Sequence, residues 1–195
     1  MDLNKTILIG IVAVVVLVGA FTVFKTTGFA AAVDPIGTGA STNIGDNAPL
    51  FSLKNLDGKT INLADYKGKT VVLFFNEGGM CYPSCWNQIK ELAVDERFNN
   101  SEVVSFSIVV DSESDWKKIT SQVPGFPASG ILFDSKAEVS SKYGALDMPS
   151  SMHGGQMPGH TYYIIDGAGV LRYVFDDPKM GVRNEMLAGE IAKFA

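Results

Sequence analysis

The chain's two cysteines, Cys81 and Cys85, fall within a span of five residues and are flanked by Gly78, Gly79 and Pro83. A pair so local cannot staple a domain, so it reads as chemistry rather than scaffolding. Two thiols packing as small apolar groups are the bland alternative, and the Gly and Pro around them argue against it. Glu77-Gly78-Gly79-Met80 lets the backbone turn sharply from a strand into a helix. Cys81 then stands at a predicted helix N-terminus, where unpaired N–H groups and the positive end of the dipole favour thiolate. Cys85 shares one helix face with it, the Cβ atoms being roughly 5–6 Å apart in a regular helix. That is wide for a disulfide, so closure requires unwinding around Pro83. Opening and closing this bond is the natural redox cycle, one thiol attacking and the other resolving.

Three further features bear on that chemistry. Residues 147–160, DMPSSMHGGQMPGH, gather Met148, Met152, Met157 and both of the chain's histidines, His153 and His160. Thioether and imidazole donors near two thiolates suit Cu(I). For the methionines and His153 the better reading is a loop that uses methionine as a flexible gap-filler. Zinc fits poorly, because a closed structural site takes four ligands and only two cysteines exist. Glu77 is expected to cap the glycine turn or face solvent rather than accept a cysteine proton. Trp86 is expected to pack under the cysteine helix.

The elements that must position these residues follow from periodicity. LFSL (50–53) and KTINL (59–63) flank Asp57-Gly58, a hairpin signal. TVVLFFN (70–76) and VVSFSIVV (103–110) are unbroken apolar runs, as in buried central strands. Trp86, Ile89, Leu92 and Ala93 recur at helical spacing over 84–98. Further helices are predicted over 112–123, 136–143 and 182–194, with a short strand over 130–134. HTYYIID (160–166), Gly167-Ala168-Gly169 and VLRYVF (170–175) form a terminal hairpin. Strands interleaved with helices predict an α/β fold with a mixed central sheet flanked by helices.

With 21 acidic against 16 basic side chains and no basic run, the chain lacks the electrostatic footprint of a nucleic-acid binder. Its N-terminus is of another kind. Thr6 to Phe24 is uncharged and bounded by Lys5 and Lys25, long enough at about 1.5 Å per residue to cross a bilayer core. A cleaved signal peptide, with Ala30-Ala31-Ala32 as the cleavage site, is the competing reading, but its apolar core exceeds the usual length. The expected organisation is a single-pass transmembrane helix over 1–25, a flexible Gly/Ala/Ser/Thr linker over 26–48 and a soluble domain over 49–195. The soluble domain is expected on the extracytoplasmic face, an orientation that one lysine on each side of the span leaves undirected.

IGDNAPLFSLKNLDGKTINLADYKGKTVVLFFNEGGMCYPSCW (44–86) resembles the opening of redoxin domains of the alkyl hydroperoxide reductase and thiol-specific antioxidant family, which are peroxiredoxin-like members of the thioredoxin superfamily. The resemblance rests on Asp46-Asn47-Ala48-Pro49, Tyr66-Lys67-Gly68-Lys69 and Cys81 in that order, and on HTYYIIDGAGVLRY later. It implies a thioredoxin-like fold and thiol-dependent oxidoreductase activity, with peroxide or a protein disulfide or dithiol as partner. Cys81 is then the nucleophile, Cys85 the resolving thiol and His160, beside the cysteine turn, the group that tunes the thiolate. Gly78 stands where peroxiredoxins carry a threonine ahead of the attacking cysteine, and His160 occupies the neighbourhood of their arginine. A secondary resemblance is to Sco-type copper chaperones, which share a C-x-x-x-C pair and a histidine before the late strand. It implies, as the alternative, a Cu(I) metallochaperone for respiratory enzymes that binds copper through Cys81, Cys85 and His160.

Overall fold

A computed structural model describes residues 42–194. Seven strands form one sheet: β1 (Ser52–Asn55), β2 (Thr60–Asn62), β3 (Thr70–Phe75), β4 (Val103–Val109), β5 (Ile131–Phe133), β6 (Thr161–Ile165) and β7 (Leu171–Asp176). Their spatial order is β2-β1-β5-β4-β3-β6-β7. β3, β4 and β5 run parallel, and the remaining pairings are antiparallel, which is the mixed sheet expected. The helices are α1 (Ser84–Val94), α2 (Glu113–Gln122), α3 (Glu138–Lys142) and α4 (Asn184–Ile191).

The strand period of two divides the core into halves. Val71, Leu73 and Phe75 of β3 join Tyr163 and Ile165 of β6 on one face. Val72 and Phe74 join Tyr162 and Ile164 on the other, with both cysteines, Ile89 and Leu92 of α1 and Leu187 of α4. β3 pairs with β6 so that Phe74 opposes Tyr162, and the two rings stack at 4.8 Å. Even-numbered residues of β6 therefore face the cysteines, and His160, just ahead of the strand, continues that row.

Some predicted boundaries shift for local reasons. The helix expected over 84–98 ends at Val94, because Asp95 takes an extended conformation and its carboxylate accepts the Arg97 N–H, opening a separate turn at Glu96–Phe98. The last helix starts at Asn184 rather than 182. Residues 45–48, expected in the linker, are bonded to the sheet. Gly45 N donates to Leu171 O at 2.8 Å, Leu171 N to Asp46 O at 2.9 Å and Ala48 N to Gly169 O at 2.9 Å. The expected transmembrane helix over 1–25, and the linker as far as residue 41, lie outside the described residues. No helix among the described residues is long and apolar enough to cross a membrane.

Leu73 is fully buried at the middle of the sheet. Leu73→Ala is expected to cost about 2–5 kcal/mol through lost transfer energy and a residual cavity. The guanidinium unfolding midpoint measures this; a loss under about 1 kcal/mol would mean that the surroundings collapse to fill the site.

Candidate active site

β3 delivers the chain to the C-terminal edge of the parallel strands, and residues 76–83 turn it back into α1. The turn is anchored from below by Asp111, which follows β4. Asp111 Oδ2 accepts the Gly79 N–H at 2.9 Å and the Trp116 Nε1–H at 2.8 Å. Gly78 adopts φ +58, and a Cβ there would overlap the Asp111 carboxylate, so the turn needs glycine on both counts.

Cys81 and Cys85 are joined in a disulfide, with Cα atoms 5.3 Å apart. The unwinding that closure requires is present: α1 begins only at Ser84, and Cys81 ends a short 3-10 turn at Gly78–Met80. This corrects the expected site of Cys81. Cys85, not Cys81, lies in the first turn of the helix, so Cys81 lacks the helix-terminus position expected for it. Cys85 is 1% exposed and Cys81 4%, with Met80 (60%) and Tyr82 (71%) open to solvent on either side of Cys81.

His160 joins the pair as its place before β6 implied. Its Nδ1 lies 3.6 Å from Cys85 Sγ, and its ring sits edge-on to Phe74 at 4.5 Å. Burial pulls its pKa from 6.5 down to about 4, against Asp177, Asp176 and the Gly181 carbonyl, which favour the charged ring. At neutral pH it is an uncharged imidazole.

Glu77 differs from expectation. It neither caps the turn nor meets solvent, being 1% exposed. Its Oε1 accepts the backbone N–H of Met152 at 2.6 Å and of His153 at 3.1 Å, so it fastens the 151–153 loop to the start of the cysteine turn. His153 Nδ1 lies 3.3 Å from the same oxygen, within ion-pair reach but not aligned as a hydrogen bond. Met152 is exposed, and Met148 packs on the core face opposite the cysteines. Trp86 packs beside the turn: its Nε1 donates to Gly78 O at 3.2 Å, and its ring meets Tyr82 at 5.0 Å and Phe126 at 5.3 Å. Asp111, Gln88 and Tyr162 were missed in the sequence, where an isolated Asp after a strand and a Gln within a helix carry no signal of their own.

The ligand atoms of Cys81, Cys85 and His160 lie within 4.8 Å of one another, a spacing that suits a soft ion once the sulfurs are reduced. The comparisons point to redox chemistry instead. A family model described as the AhpC/TSA family matches residues 44–174. The chain is 30% identical over 157 residues to chloroplastic peroxiredoxin Q of Triticum aestivum, covering 76% of this chain and 69% of that protein. It is 26% identical over 160 residues to peroxiredoxin Bcp of Escherichia coli (strain K12), covering 77% and 96%. Among solved structures, a peroxiredoxin-like protein from Aquifex aeolicus superposes with a TM-score of 0.65 at 18% identity over 80% of this chain and 90% of that one, a likeness of fold. The resemblance to copper chaperones gains no support from these relatives.

A histidine whose folded pKa lies below its unfolded value leaves the unfolded chain binding more protons between about pH 6.5 and 4. Its contribution to stability is therefore complete above pH 6.5 and falls as acidification proceeds toward pH 4. His160→Gln is expected to flatten that part of the stability profile. Urea midpoints of both proteins at pH 7.5 and 4.5 measure it, and parallel profiles would assign the acid sensitivity to other groups.

Proposed function

The chain belongs to the AhpC/TSA family and is a thiol-dependent oxidoreductase, and from that premise we propose that it is a peroxide-reducing enzyme that cycles through the Cys81–Cys85 disulfide. The observation that carries the reading is the disulfide itself, with an uncharged imidazole 3.6 Å from its buried sulfur.

The two sulfurs take different roles because their surroundings differ. Cys81 lies between exposed residues on a turn, where a hydroperoxide can approach. Its thiolate attacks the peroxide oxygen; the O–O bond breaks, the departing alkoxide or hydroxide takes a proton from solvent to leave as alcohol or water, and Cys81 becomes a sulfenic acid. Cys85 is the more deeply buried of the two and lies against His160. It gives its proton to His160 and attacks the sulfenic sulfur, forming the S–S bond and releasing water. A dithiol, small or protein-borne, then attacks at Cys81, Cys85 departs, and both cysteines return to thiols as the reductant becomes a disulfide. His160 thus acts on the resolving thiol and not on the attacking one. The threonine of typical peroxiredoxins has no counterpart at Gly78. Disulfide exchange with a protein partner is the second reading, favoured by the exposed Met80 and Tyr82 beside Cys81.

The full chain, reduced and mixed with hydrogen peroxide in a stopped-flow fluorimeter, tests this. Trp86 reports on the turn, with Trp116→Phe removing the second indole, whose ring lies 6.4 Å away. Oxidation is expected orders of magnitude faster than that of a free thiol at the same pH. Cys85→Ser is expected to stop at a Cys81 sulfenic acid that dimedone captures, and Cys81→Ser to yield no adduct. Oxidation no faster than a free thiol would leave disulfide exchange as the function.

A further inference from the structure

Behind Cys85 runs a line of buried polar side chains that the redox steps leave without a role. His160 Nε2 lies 2.8 Å from the Tyr162 hydroxyl, which donates to Gln88 Oε1 at 3.0 Å. The same Oε1 accepts the Arg183 backbone N–H at 2.7 Å, and Gln88 Nε2 donates to Asn184 Oδ1 at 2.9 Å. Asn184 Nδ2 donates in turn to the Glu91 carbonyl at 3.1 Å and to Asp95 Oδ2 at 2.9 Å. His160 is 1% exposed, and Gln88 and Tyr162 are not exposed at all.

Each orientation in this line is set by a group with only one hydrogen-bonding sense. A backbone N–H only donates, and a carbonyl or ionised carboxylate only accepts. Asp95 is ionised, since its hydrogen bonds to Arg97 hold its carboxyl well below the usual carboxylate range. Asn184 must turn its NH2 toward Glu91 and Asp95, which leaves its oxygen for Gln88. Gln88 must then present its NH2 to that oxygen and its own Oε1 to Tyr162. The Arg183 N–H imposes the same orientation from the other side. Tyr162 has one proton, and it goes to Gln88, so the phenol oxygen is left to accept from the imidazole. A neutral imidazole carries one N–H, and here it is on Nε2.

We propose that Tyr162 and Gln88 are positioning residues that hold His160 as the Nε2–H tautomer, leaving the Nδ1 lone pair aimed at Cys85 Sγ. This rests on the reading of Cys85 as the resolving thiol and says how its proton is taken. The Cys85 S–H bond breaks and its proton passes to Nδ1. The sulfur pair forms the S–S bond to Cys81, the S–O bond of the sulfenic acid breaks, and the departing hydroxide takes the proton from the imidazolium to leave as water. In the other tautomer an N–H would face the sulfur and no acceptor would be in place. Tyr162 and Gln88 touch neither sulfur; they act through His160.

The chain has two histidines, so 15N spectra of the full-length oxidised protein labelled at histidine resolve the matter, with His153→Gln assigning the signals. For His160 at neutral pH we expect a protonated Nε2 and a bare Nδ1; a protonated Nδ1 in the wild type overturns the proposal with no variant required. Tyr162→Phe keeps the ring stacked on Phe74 and removes the hydroxyl acceptor, leaving the imidazole only the Gly181 carbonyl. It is expected to give a mixture of tautomers and to slow disulfide closure about tenfold in stopped flow. Gln88→Leu leaves Tyr162 only the Gly181 carbonyl, 3.4 Å away, and is expected to give the same mixture. An unchanged Nε2–H spectrum in both variants would show that Tyr162 and Gln88 do not set the tautomer. The spectra need no peroxide: an Nε2–H wild type that fails to react with peroxide would sink the peroxidase reading and leave the tautomer assignment standing.

Discussion

The antiparallel register of β3 against β6 is the constraint on which the site depends. With Phe74 opposite Tyr162 and Phe75 opposite Thr161, even-numbered residues of β6 share a face with α1. A slip of one residue would send the row to the opposite face, placing His160 and Tyr162 away from the cysteines and Tyr163 among them. The register is specified because both faces of these strands are buried, and because Tyr162 stacks on Phe74 while Tyr163 meets Phe75 at 5.2 Å. Core packing and site assembly are therefore one event.

Around that frame the site is held by buried polar groups, each with defined partners. Asp111 holds the Gly79 amide of the turn, Glu77 ties its start to the Met152 loop, and the Gln88–Asn184 pair joins α1 to the start of α4. Such groups add less net stability than apolar packing of the same volume, but they are expensive to leave unpaired. They select one arrangement of the turn over near alternatives of similar compactness. The hydrophobic clusters bring the elements together; the hydrogen bonds decide which atom faces which sulfur.

The sequence disclosed the parts whose signals are local. The Asp57-Gly58 hairpin, the apolar runs of β3 and β4, the cysteine pair and the late strand-turn-strand were legible, because period and turn chemistry are written in adjacent residues. The start of α1 at Ser84 agrees with its helical period, but the place of Cys81 was not legible: the 3-10 turn at Gly78–Met80 sets it outside the helix that Cys85 enters. The partners of Glu77 stand 75 and 76 residues away, and the Gln88–Asn184 bond spans 96. Contacts of that range are products of topology, so Glu77 read as a cap or a solvated side chain and nothing singled out Gln88. His160 was placed beside the cysteine turn from its resemblance to the family, while which sulfur it faces came only from the fold.

The Met152 loop has a consequence for how this protein meets proteases. Ser, Gly and Met dominate residues 150–157, and the Met152 side chain is 61% exposed, a composition that ordinarily marks a cleavage site. A protease must draw several residues into an extended strand, and here the amides of Met152 and His153 are tied to a carboxylate inside the protein. Cutting the loop thus requires first extracting it from Glu77, the residue immediately before the cysteine turn. The segment that looks most vulnerable is thus tied, through a buried carboxylate, to the start of the turn that carries Cys81, and its resistance to digestion reports whether that tie is closed.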